Sequence, residues 1–93
     1  MNRLTKDACI ARADNLISTD LDDETILMSI DQGAYYGMEQ TARRIWELLE
    51  RPRIISDLCG RLSEEYQVKP ALCEPEIISF LEELREEGLI VEV

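Results

Sequence analysis

"GAYYGMEQTARRIWELLE", residues 33–50, changes its period half-way. From Gly33 to Met38 the chain places Tyr35 and Tyr36 between two glycines, the pattern of a short strand. Ala34 to Met38 is short and carries Gly37 near its end, which suits a sheet edge or a tight exit. Beyond it, Met38, Ala42, Ile45, Trp46 and Leu49 fall at i, i+4, i+7, i+8 and i+11 and share one helical face. Glu39, Arg43, Glu47 and Glu50 lie mostly on the other side. The helix is expected to begin near Glu39 or Gln40 and to stop at "RPR" (51–53), because Pro52 disfavours helical geometry at Arg51.

Upstream, "NLISTDLDDETILMSID" (15–31) has the form of a hairpin. Residues 16–21 alternate, Asp22-Asp23 is a turn signal, and Thr25 to Ile30 is apolar and partly β-branched. Asp31-Gln32-Gly33 makes a second turn, with Gly33 free to take a positive φ. Residues 1–15 carry little periodicity and suit either a ragged first strand or a mobile arm. Downstream, Ser56 is a good N-cap for a second helix with Leu58, Cys59, Leu62 and Tyr66 on its buried face. A third helix is expected from about Glu74, with Pro75 near its first position and Gly88 just past its end. "LIVEV" (89–93) closes the chain as a short extended tail. Three strands followed by three helices, the last two joined near Lys69-Pro70, give an α+β fold. It is a small winged helix-turn-helix with a three-stranded antiparallel sheet followed by three helices.

The 93 residues suit a single domain, since domains typically run to about 100–150 residues. Twenty acids against ten bases give a net charge of −10, which repels phosphate backbones and anionic headgroups. Neither nucleic acid nor membrane is an expected partner; a basic or apolar peptide is. Three cysteines without CxxC spacing and no histidine argue against a disulfide framework, a metal site or a cofactor. The N-terminus lacks a signal peptide and no stretch approaches the ~20 apolar residues of a membrane span. A reduced, cytoplasmic setting is the expectation.

The acidic pairs Glu64-Glu65, Glu82-Glu83 and Glu86-Glu87 are adjacent residues on exposed faces. They lack the burial that would raise a carboxyl pKa for catalysis. Cys59 fits the apolar stripe as a small core residue, and neither Cys9 nor Cys73 has a histidine to activate it. No catalytic residue is expected. A DNA reader carries bases on the second helix of its motif. Residues 71–87 carry six glutamates against Arg85 alone, so the expected fold resembles a DNA binder's in outline and not in surface. Strand edges, by contrast, accept extended peptides: main-chain hydrogen bonds give affinity, and pockets for alternate side chains give specificity. Tyr35 and Tyr36 face opposite ways along the third strand, so one can pack in the core and the other offer a flat amphipathic surface; from spacing alone the alternative is that both pack and the edge is inert.

Three segments in order, "GAYYGMEQTARRIWELLE", "ISDLCGRLSEEYQV" and "IISFLEELREEGLI", resemble the PqqD-like family, the precursor-peptide recognition elements of ribosomally made peptides. The resemblance covers roughly residues 16–91. It implies a winged helix-turn-helix that binds the leader of a precursor as a strand added to its third strand, in a groove against its third helix. Carried onto this chain, the strand is Ala34, Tyr35, Tyr36, Gly37 and Met38, and the groove wall includes Ile77, Phe80, Leu81 and Leu84. Some of those four must serve the core instead. Glu39 stands where the family often has Asn or Asp, and Met38 replaces the common Leu. The family presents its guest to a modifying enzyme and catalyses nothing. The length and "DLDDETILMSIDQGAYYGM" look most like the discrete recognition proteins of lasso peptide pathways, whose partner is a cysteine protease. A pyrroloquinoline quinone-type chaperone for a radical-SAM enzyme is the alternative, and a winged-helix transcription regulator a more distant one. A free edge also permits a strand-swapped homodimer.

Overall fold

The computed structural model describes residues 3–93. Its elements are β1 (Cys9–Arg12), β2 (Leu16–Leu21), β3 (Glu24–Ser29), β4 (Ala34–Glu39), α1 (Gln40–Leu48), β5 (Arg53–Ile54), α2 (Ile55–Tyr66), α3 (Pro70–Glu86) and β6 (Ile90–Glu92). The expected meander is there, antiparallel, in the order β2-β3-β4. Alternation turns Thr25, Leu27 and Ser29 of β3 inward together with Met38 of β4. Asp22 and Gly33 take the positive φ that their two turns require, 51° and 64°.

A second antiparallel sheet, in the order β5-β1-β6, was not expected from the pattern. The N-terminal segment is its central strand: Ile10 pairs with Arg53 on one side and Glu92 on the other. Residues 9–12 are therefore the strand, not the mobile arm, and Leu4, Ala8 and Ile10 join the core. The tail after Gly88 becomes β6, and the segment after Pro52 becomes β5.

This sheet also explains why Ser56 does not cap α2. The helix starts at Ile55, directly from β5, with no side-chain cap. Two of its free N–H groups are taken by the N-terminal segment instead: Ile55 donates to the Ala8 carbonyl and Ser56 to the Lys6 carbonyl, both at 2.9 Å. Tyr66, expected on the buried face of α2, is 48% exposed, because the helix ends there and Gln67 turns away in a left-handed conformation. The third helix starts earlier than expected. Pro70 takes the first turn, where its missing N–H costs nothing, and Pro75 lies inside the helix.

The α1 face is as the spacing predicts. Ile45, Trp46 and Leu49 are buried with Met38, and they pack on Ile55, Leu58, Leu62, Leu81 and Leu89 from the later elements. Arg12 of β1 stacks its guanidinium over Trp46 at 4.5 Å and donates to the Trp46 carbonyl. One ring thus fills the core and anchors the second sheet to α1. Replacing Trp46 by Ala should lower the unfolding free energy by about 3–5 kcal/mol. Urea unfolding followed by circular dichroism checks it, and an unshifted midpoint would show that the ring is dispensable.

Candidate functional site

β4 is bonded to β3 along one flank, in a register that pairs Met28 with Tyr35 and Leu27 with Tyr36. Among the described residues its other flank has no strand, since β4 ends the sheet. The strand then enters α1 abruptly: Glu39 makes no capping bond and Gln40 takes a φ of 55°. That left-handed step costs on the order of 1 kcal/mol. It swings α1 away from the line of the strand.

Beside this edge lies a groove of about 300 Å³, walled by Tyr36, Gly37 and Met38 on one side and by Phe80 and Leu84 of α3 on the other. Leu89 and Ala42 also line it, and Glu83, Glu86 and Glu87 stand around it. A second apolar hollow of about 330 Å³, between α1, α2 and α3, is lined by Ile45, Leu62, Cys73 and Ile77 among others. The two share Ala42 and Phe80, so they form one trough with Phe80 between its lobes.

The expected site residues divide cleanly. Tyr36, Gly37, Met38, Phe80 and Leu84 line the groove beside β4. Ile77 belongs to the second hollow. Leu81 is 0% exposed and serves the core, and Ala34 is half-buried at the start of the strand. Tyr35 is 72% exposed and points from the opposite face of the sheet, away from the groove. Gly37 has a steric reason: a Cβ there would lie 2.7 Å from a carboxylate oxygen of Glu24, which leans across it.

Sequence reasoning missed Ala42, Leu89, Gln32 and Glu87. Ala42 was assigned only to a helix face, and Leu89 only to a tail. The Tyr36 hydroxyl donates to a Glu87 carboxylate oxygen at 2.9 Å and also meets the Gln32 side-chain carbonyl at 3.3 Å. The Gln32 amide in turn donates to the Glu87 main-chain carbonyl at 2.9 Å. Hydrogen bonding to Glu87 raises the tyrosine pKa above its usual value. No local signal marks a partnership between a turn and a helix end more than fifty residues apart.

The described residues hold no group of three or more His, Cys, Asp or Glu that could hold a metal ion. Burial pushes the Cys59 thiol up to about 11, as suits an inert core residue. Among the described residues no helix is long and apolar enough to cross a membrane.

A family model described as coenzyme PQQ synthesis protein D (PqqD) matches residues 24–90, from β3 to the start of β6. The chain belongs to the PqqD family. In PqqD terms the match takes in both walls of the groove and leaves β1 and β2 outside it. The solved structure described as TbiB1 in complex with the TbiA(beta) leader peptide is similar to this PqqD-family chain at a TM-score of 0.80 and 29% identity. The likeness covers 86% of this chain and 93% of that one. No curated protein matches.

Cys59 should resist alkylation by iodoacetamide at pH 8 in the folded protein, reacting at least roughly a hundredfold more slowly than in the unfolded chain. Peptide mapping after timed labelling measures this, and equal rates would place the thiol outside the core.

Proposed function

We propose that this chain binds the leader region of a ribosomally synthesised precursor peptide by strand addition to β4, and delivers it to a modifying enzyme or leader peptidase. The observation that carries the reading is a free strand edge running beside an apolar trough. The edge offers unpaired main-chain donors and acceptors, and the trough offers room for every second side chain of a guest. The likeness to TbiB1 with its leader supports it. In this reading the chain supplies no chemistry. We assign it to a lasso peptide pathway, with a cysteine protease as receiving enzyme, on the residues 20–38 that resemble the discrete recognition proteins of such pathways.

Charge bears on the guest. Glu83, Glu86 and Glu87 beside the groove favour lysine or arginine in the leader and speed encounter at low salt. The same glutamates make α3 a poor helix to set against DNA.

A protein that hands on its guest needs a second face, and the far side of the β2-β3-β4 sheet fits that need. Ile17, Met28 and Tyr35 form one cross-strand row there, and Thr19, Ile26 and Gly37 form the next. Neither row has an ionisable acid or base apart from the tyrosine hydroxyl. Ile17, Leu21 and Tyr35 are all exposed. The third row sets Glu24 directly opposite Glu39, a like-charge pair that costs stability. Such a face suits an enzyme surface with an apolar centre and a basic rim, and it continues onto the outward side chains of any strand added to β4.

Titrating isotope-labelled protein with the synthetic leader of the precursor encoded beside it should shift the amides of residues 34–39 most. Phe80→Ala should weaken binding by about 1–3 kcal/mol without unfolding the protein. A peptide that saturates while those amides stay still would refute strand addition. Ile17→Asp should keep leader affinity within about twofold yet cost more than tenfold in affinity for the neighbouring protease, if that protease docks on an apolar face. Surface plasmon resonance with both partners separates the two effects, and loss of leader binding would reject the division of faces.

A further inference from the structure

We propose that Gln32, Tyr36 and Glu87 form a strut that holds the walls of the groove apart. The inference rests on the leader-binding reading and assigns positioning residues to it. The two walls of the groove come from separate parts of the fold, β4 from the meander and α3 from the helical layer. Their facing side chains include Tyr36 and Phe80, which are only partly buried and pack against the core. Apolar walls with nothing between them gain by closing on each other, because closure removes apolar surface from water. A guest would then have to part them first.

Three contacts oppose closure. One joins residues within the β3–β4 hairpin, the Tyr36 hydroxyl to the Gln32 side-chain carbonyl; the other two cross to the end of α3, the Tyr36 hydroxyl to the Glu87 carboxylate and the Gln32 amide to the Glu87 main-chain carbonyl. Gly88 makes the last one possible. It takes a φ of 76°, and a Cβ there would lie 2.9 Å from the Gln32 amide nitrogen. The tyrosine ring is thereby held at its outer end as well as at its backbone. It stands as a wall of the groove and cannot fold across it. All three contacts are solvent-exposed, so each adds little to global stability. Their effect is on which groove shape is populated. When only a fraction of molecules is open, apparent affinity falls by that fraction, and the loss appears in the association rate.

The test uses a peptide selected on the wild-type protein from a library of random twelve-residue sequences, with amide shifts showing whether it lies along β4. Stopped-flow kinetics at moderate salt then compares wild type with Tyr36→Phe, Gln32→Ala and the double variant. The strut predicts association slowed about three- to tenfold in each single variant and dissociation within about twofold. It predicts a melting temperature unchanged or slightly raised, since closure buries apolar surface. It also predicts a double variant no slower than the worse single, because the residues act as one unit. A lowered melting temperature with unchanged association would mean an ordinary structural tie and overturn the proposal, as would multiplying effects in the double variant. Wild-type binding along β4 with unaltered kinetics in both single variants would overturn the strut alone. If no selected peptide moved the β4 amides, the leader-binding reading would fall and the strut with it.

Discussion

An edge strand cannot satisfy its own outer hydrogen bonds, and β4 is held where that deficit is most useful. Among the described residues β3 is the one strand paired with it. Water can pair with those groups, but an extended chain pairs with them in register. The sheet's other edge strand, β2, is exposed along nearly its whole length. What distinguishes β4 is the apolar wall that α3 sets next to it.

The rest of the fold fixes those two walls in place. The small sheet β5-β1-β6 gathers the N-terminal segment, the start of α2 and the tail beyond α3 into one layer. Because β5 runs directly into α2 and β6 follows α3, both helices are moored at an end. Trp46 links that layer to α1 by serving as core and as platform for Arg12. Surface ion pairs such as Arg44 with Glu65 at 2.7 Å add a further tie between α1 and α2, of the modest worth usual for exposed pairs.

Charge then sorts the partners. The winged outline is shared with DNA-reading proteins, but six acids and no base occupy residues 20–39 and the exposed side of α3 is rich in glutamate. A phosphate backbone would meet repulsion on both the wing and the helix. The outline alone does not select a function; its surface does.

Local pattern was enough for the three helices, the meander and the short strand between glycines, because periodicity and turn chemistry act within a few residues. The α1 face from Met38 to Leu49 and the exit glycine at position 88 were legible for that reason, and so was an edge strand with apolar residues on the last helix. The sequence did not determine the second sheet, since each of its strands is too short to announce itself and forms only when residues 9–12 meet 53–54 and 90–92. It did not determine the start of α2, where the main chain of Lys6 and Ala8 does the work expected of Ser56. Nor did it settle which of Ile77, Phe80, Leu81 and Leu84 face the groove, or which tyrosine does. A helix stripe and a strand alternation fix relative directions only, and which direction is inward depends on the elements that pack on either side. Those neighbours are distant in the chain, so only the folded structure decides them.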